Sequence, residues 1–182
     1  MNNIRKIEFN HRLAVIKDIP SLMTLMDKSI KILLKPYLNS NQIEASFDIM
    51  GIDTQLIEDN TYFIIEYDNT IVGCGGWSRR ATLFGGNHTK GRDAALLDPS
   101  RDAARIRAMY THPDWTRHGI GKLIIKLCEE AARLEGFKSC ELASTLSGEP
   151  LYRACSYKVV REFKSETNSG VLVPLLQMTK EL

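Results

Sequence analysis

The chain is short of several things, and each shortage closes a class of function. Its four cysteines, Cys74, Cys128, Cys140 and Cys155, include no CxxC pair, so neither a zinc site nor a redox motif is indicated. Cys74, Cys128 and Cys140 sit in apolar stretches and read as reduced, buried side chains. No run approaches the about 20 apolar residues that span a bilayer, so no membrane partner is expected. The first residues, MNNIRKIEFNHRL, hold no apolar segment of signal-peptide length, and a cytoplasmic location is expected. Excess charge is scarce too. A formal net charge of +2 gives no ground for a nucleic-acid partner. Linkers, internal repeats and low-complexity segments are missing.

What is present suits a globular domain. The chain is 43% hydrophobic and 25% charged, and 182 residues can bury a real core as one domain, 1–182. The organising stretch is Arg105 to Leu127. It opens as an alternating run, Arg105-Ile106-Arg107-Ala108-Met109-Tyr110-Thr111, which suits a strand. His112-Pro113-Asp114 ends the ladder because proline has no N–H to donate. Gly119-Ile120-Gly121 follows, then Leu123, Ile124, Leu127, Ala131 and Leu134 at helical spacing. A strand, a basic glycine turn and a helix make an anion-binding device, since the first-turn N–H groups and the helix dipole both favour negative charge.

Around this stretch the chain reads as alternating elements. Residues 4–13 suit a strand. Asp18 suits a helix N-cap, and Leu22, Leu25, Met26, Ile30, Leu33 and Leu34 form an apolar stripe that Pro36 ends. Asn41-x-x-Glu44 resembles a capping box for a second helix closed by Gly51. Residues 61–67 and 70–77 make a hairpin around Asp68-Asn69, and Gly73, Gly75 and Gly76 indicate a bulge, a close backbone approach or a twisted edge. Residues 79–104 form a long insertion of the kind that serves as a lid or binding loop. After the central helix, Ser139 to Ala143 is a strand, which implies a parallel crossover. A short helix over 150–155 and strands at 157–163 and 171–179 complete an α+β fold. The expected core is a mixed, twisted sheet of about seven strands flanked by about four helices.

These residues resemble the GNAT superfamily of acyl-CoA N-acyltransferases. The family signature, Gln/Arg-x-x-Gly-x-Gly/Ala, falls on Thr116-Arg117-His118-Gly119-Ile120-Gly121, with Thr116 in place of the first residue and Arg117 keeping a positive charge in the loop. The later motif, a tyrosine ahead of a Gly-Phe/Tyr pair, falls on Leu151 to Tyr157, with Ser156 replacing the glycine. GCGGWSRR, FGG, LLDP and ARIRA are similar to a group of small bacterial members. The resemblance implies acetyl-CoA as co-substrate and a primary amine of a small molecule or protein as acceptor. It places the pantetheine arm and thioester on Met109 and Thr111, with Tyr110 between them. The pyrophosphate falls on Arg117, His118, Gly119, Ile120, Gly121 and Lys122, with glycines where a Cβ would crowd the phosphates. Ser147 falls on the pantetheine arm. No metal is implied, and a homodimer is the assembly to test.

For chemistry, an alkylamine of pKa about 10 must lose a proton before attack, and the leaving thiolate must gain one. The resemblance makes Tyr152 the general acid. Among side chains Glu141 is the first choice of base by position, ahead of His112, and a water chain is an equal alternative. On the acceptor side Tyr37, Trp77, Arg79 and Arg107 stand out. Arg107 lies mid-strand and needs either an anionic ligand or a carboxylate such as Glu66, Glu141 or Asp102. Two other functions compete: a non-catalytic acyl-CoA-binding module on the same fold, and a dinucleotide-binding oxidoreductase. The second fails, because the turn is not GxGxxG and follows the fourth strand.

Overall fold

The structure is a computed structural model that describes residues 7–182. Seven strands form one sheet: β1 (Asn10–Leu13), β2 (Tyr62–Tyr67), β3 (Thr70–Ser78), β4 (Ala104–Thr111), β5 (Ser139–Ser144), β6 (Lys158–Glu166) and β7 (Leu172–Glu181). Their order is β1-β2-β3-β4-β5-β7-β6. Among the described residues five α-helices accompany them: α1 (Ile19–Leu33), α2 (Ser40–Ser46), α3 (Thr54–Glu58), α4 (Ile120–Leu134) and α5 (Glu149–Ala154). None of the described helices is long and apolar enough to cross a membrane. The α+β fold with a mixed seven-stranded sheet is thus as expected, with five helices rather than four.

Each face of the sheet has its own core. Tyr62, Ile64, Cys74, Tyr110 and Leu175 pack with Leu22, Met26 and Ile30 of α1 and Leu56 and Ile57 of α3. On the other face Ile65, Val72, Ile106, Leu142 and Met178 pack with Ile120, Ile124, Cys128 and Ala132 of α4. The α4 residues recur every four positions, which turns one apolar stripe onto the sheet. Ile106 and Tyr110 would share a face in a regular strand, yet they enter opposite cores. A bulge inverts the alternation. Cys74 pairs with Tyr110 and Gly76 with Arg107, so Gly75 alone faces Ala108 and Met109. Ala108 adopts φ +50°, a conformation that a side chain resists. The buried Tyr62 hydroxyl donates to the Ala108 carbonyl at 2.8 Å and holds the bulge in place.

The glycines of β3 now have a reason. A Cβ on Gly73 would lie 2.4 Å from Ile120, and one on Gly75 would lie 2.4 Å from the Met109 sulfur. Both strand positions are empty so that α4 and the bulge can close onto the sheet.

The structure shifts some local expectations. Asp18 is the N-cap residue of α1, as expected, but its buried side chain makes no capping bond to the helix; its carboxylate accepts instead from the Val15 N–H at 2.9 Å and from Arg12 at 2.7 Å. The first strand is shorter than expected, and residues 4–6 of that reading lie outside the described residues. The capping box is Asn39-x-x-Gln42, two residues earlier than Asn41-x-x-Glu44. Helix α3, only five residues long, has too few apolar repeats to show a period. The 79–104 insertion is not a free loop. Leu97 N–H bonds Arg79, Ala81 N–H bonds Ala95 and Thr82 N–H bonds Asp93, so it doubles back on itself.

Candidate active site

Strands β4 and β5 run parallel but touch only at Ala104–Cys140 and Arg105–Glu141. Beyond that point they splay. The His112 N–H is taken by Val72 on the β3 side, so alternation turns the Thr111 N–H toward the gap. A cleft of about 640 Å³ fills this gap and is bordered by elements from both faces of the sheet. Its volume is that of an ordinary ligand site.

One end belongs to the α4 face. Arg117, Gly119, Ile120, Gly121 and Lys122 border it, with Ser147, Leu151 and Tyr152 opposite. The first helical bond of α4 runs from the Leu123 N–H to Gly119. The N–H groups of Ile120, Gly121 and Lys122 therefore stand free of helix partners, and the positive end of the dipole points the same way. Arg117 (φ +66°) and Gly119 (φ +86°) turn the chain sharply into the helix. A Cβ on Gly119 would meet nothing within 4 Å, whereas one on Gly121 would lie 2.5 Å from Leu151. Glycine is thus required by backbone angle at 119 and by packing against α5 at 121. An acidic diphosphate fits this end well, because free N–H donors and the helix dipole are there and two cationic residues, Arg117 and Lys122, border it.

The other end belongs to the α1 face. Ile30, Leu33, Leu34 and Tyr37 line it from α1 and its following turn, Ile49 and Met50 from the turn after α2, and Leu83 and Phe84 from the insertion. Arg107 is 3% exposed and borders this end. Its partner is none of the three carboxylates named above but Asp53, at 2.8 Å, with further bonds to the carbonyls of Thr82 and Gly85. Arg92 grips the other oxygen of Asp53 at 2.8 Å and donates to Gly86 at 3.0 Å. Burial pulls the Arg107 guanidinium below its ordinary value, and Asp53 opposes this. The two arginines and Asp53 pin the insertion's tip against the start of α3, which makes it a fixed wall.

The predicted residues divide cleanly. Met109, Tyr110, Thr111, Arg117, Gly119, Ile120, Gly121, Lys122, Ser147, Tyr152, Tyr37 and Arg107 all line the cleft. His118 does not; its Nδ1 pairs with the Thr116 carbonyl at 2.9 Å and its ring lies against Trp115. Trp77 is buried against Phe137, and Arg79 pairs with Glu135 at the far end of α4. Glu141 is also outside the cleft, held by Arg105 and Gln177. His112 is absent from the lining, with its Nδ1 accepting from the Asp114 N–H at 3.3 Å. Trp77 and Glu141 lie on strands, where alternation could not tell which face the bulge of β4 would open; Arg79 opens the insertion and His112 lies in the turn after β4, where no strand period assigns a face. Leu83 and Phe84 were missed because nothing in the sequence signals which part of a long insertion folds back, and Asp53 because the five-residue helix that it precedes shows no period.

Tyr152 is 7% exposed, and its ring packs edge-on to Tyr157 at 5.9 Å. Burial pushes its phenol well above the ordinary value, so it keeps its proton at neutral pH. Tyr110 sits on the opposite wall with its hydroxyl accepting from the Gly51 N–H at 2.9 Å. No aspartate, glutamate or histidine is among the described residues lining the cleft.

With this geometry in place, comparisons with known proteins agree. The model of the Acetyltransferase (GNAT) family matches residues 27–157, well over half of the chain. A GCN5-related N-acetyltransferase from Rhodopseudomonas palustris superposes with a TM-score of 0.73 at 18% identity, covering 100% of both chains. The PaiA N-acetyltransferase of Thermoplasma acidophilum, solved in complex with coenzyme A, gives 0.64 at 15% identity over 96% of this chain and 99% of the other. A ribosomal-protein-alanine N-acetyltransferase from Brucella melitensis gives 0.62 at 15% identity over 95% and 99%. No curated protein matches the sequence. The structural likenesses at these identities speak for the fold, and the family model speaks for descent: this chain belongs to the GNAT family of acetyltransferases.

Proposed function

We propose that the protein transfers an acetyl group from acetyl-CoA to a primary amine by direct attack. One observation carries this reading. A single cleft threads the β4–β5 splay, joining a cationic helix N-terminus on one face to an apolar chamber on the other, with Tyr152 on its wall. The N–H groups of residues 120–122, with Arg117 and Lys122, would hold the pyrophosphate. Met109 and Thr111 on the open edge of β4 would bond the pantetheine arm and the thioester carbonyl, where a backbone N–H stabilises developing negative charge. Ser147 faces the arm from across the gap.

Tyr152 would give its proton to the departing thiolate, and a phenol kept neutral by burial suits that task. Deprotonation of the amine needs no side-chain base. Desolvation in the cleft disfavours an ammonium, and no carboxylate among the described lining residues would hold one. The amine would enter neutral or release its proton to water.

Titration calorimetry with acetyl-CoA and thiol release over an amine panel test the reading. Saturable binding with amine-dependent thiol release is expected. Binding without release across the panel would favour a non-catalytic acyl-CoA-binding module, and no binding would remove the proposal.

A further inference from the structure

The acceptor end of the cleft has a composition that selects its ligand. Two of its walls, α1 with its following turn and the insertion, present Ile30, Leu33, Leu34, Tyr37, Leu83 and Phe84. The one charged side chain there, Arg107, is already neutralised by Asp53 at 2.8 Å. Three of its N–H groups are engaged by Asp53, Thr82 and Gly85. A substrate with a second ammonium, such as a polyamine, would meet no carboxylate among the described lining residues and would sit beside a guanidinium. Losing the hydration of that second charge without a partner is costly. An alkyl or aryl body gains by the same burial that penalises the cation.

The chamber is also built to keep its shape. Asp53 is bridged by Arg107 and Arg92, and the arginines hold the carbonyls of Thr82, Gly85 and Gly86. Asn87 N–H bonds the Ile52 carbonyl at 2.9 Å, and its side chain accepts from the Thr54 N–H at 3.0 Å. Leu83 and Phe84 are therefore carried on a tip that is tied at both sides, and Phe84 leans on Phe163 of β6 with ring centroids 5.9 Å apart. A rigid apolar wall discriminates by contact area and excludes water, whereas a mobile loop would adapt to either kind of substrate.

We propose that the acceptor is a small primary amine with an apolar alkyl or aryl body and no second cation. This rests on the acetyl-transfer reading for the identity of the reaction, but its binding evidence can be read separately. No covalent step is added: the amine nitrogen bonds the acetyl carbon, the C–S bond breaks, the amine proton goes to solvent and the thiolate is protonated.

The test measures equilibrium binding of ethylamine, butylamine, hexylamine, 2-phenylethylamine and spermidine to CoA-saturated protein, and thiol release from acetyl-CoA with the same five. Affinity should rise about threefold per added methylene along the alkyl series, and 2-phenylethylamine should exceed ethylamine by roughly thirtyfold. Spermidine should bind at least about tenfold more weakly than hexylamine. A flat series, spermidine as the best ligand, or no amine binding at all would overturn the proposal. Absence of thiol release with the binding order intact would instead remove the acetyl-transfer reading and leave the ligand class standing. Phe84→Asp supplies the missing carboxylate and should reverse the hexylamine–spermidine order. Leu33→Asp, at the partly exposed end of α1, gives the same reversal if the first variant misfolds. An unchanged order in both would contradict the assigned chamber.

Discussion

The two ends of the cleft are built on different physics. At the α4 end the recognition elements are backbone N–H groups, a helix dipole and two cationic side chains, all set by one short turn from residue 116 to 122. At the α1 end they are apolar side chains drawn from helices, a turn and an insertion scattered across the chain. The first depends on local sequence and suits a ligand common to a whole family. The second depends on long-range folding and is free to vary, so it can set which acceptor is used. Between them the bulge of β4 does the joining. It turns Arg107 and Tyr110 to one face and Ile106 and Met109 to the other.

The sharpest way to break the comparison is to cut the ion lock of the α1 end. Asp53→Asn leaves two arginines, one of them buried, without a carboxylate and should lower unfolding stability by about 3–5 kcal/mol, read by chemical denaturation. The same variant should blur discrimination among amines while acetyl-CoA affinity stays near wild type, which would show that the ends are independent. Next in size, Tyr152→Phe should lower kcat by about a hundredfold with acetyl-CoA affinity unchanged. An unaltered kcat would leave Tyr152 as packing.

The rate should also follow the acceptor's own titration. Raising pH deprotonates the amine, so kcat/KM should climb about tenfold per unit and level off at the pKa of whichever amine is used. No aspartate, glutamate or histidine lines the cleft among the described residues, so no side chain of the usual general-base type faces the amine. An inflection that stayed put when the amine was changed would reveal a protein base. Tyr62→Phe removes the hydroxyl that holds the Ala108 carbonyl, and acetyl-CoA KM should rise roughly tenfold as the bulge relaxes. Smallest of all, Glu141→Gln should change kcat by less than about threefold, because its carboxylate is spent on Arg105 and Gln177 outside the cleft.

The asymmetry of the two ends also explains what the sequence made legible. The hairpin, the crossover from β4 through α4 to β5, and the turn at 116–122 could be read because period, proline and glycine act within a few residues. The role of Gly121 could not, since the atom it must clear belongs to Leu151, thirty positions on. Arg107 was legible as a buried charge in need of a partner, but its partner, Asp53, caps a short helix with no period of its own. Trp77 and Arg79 drew attention as an aromatic and a cation beside the glycine-rich strand. They stack on each other at 5.1 Å and serve the α4 side of the core. Alternation gives the face of a side chain only until the first bulge, and here the bulge lies at the centre of the site.

If donor and acceptor do occupy opposite ends of one threaded cleft, both must be bound before the acetyl group moves. Cys74 and Cys140, with thiols pushed up to about 12 by burial, stand outside the lining and are poor nucleophiles for a covalent relay. Initial rates measured while acetyl-CoA and hexylamine are varied together test this directly. The account predicts intersecting double-reciprocal lines and no thiol release before amine is added. Parallel lines, with a stoichiometric burst of thiol from acetyl-CoA alone, would contradict it.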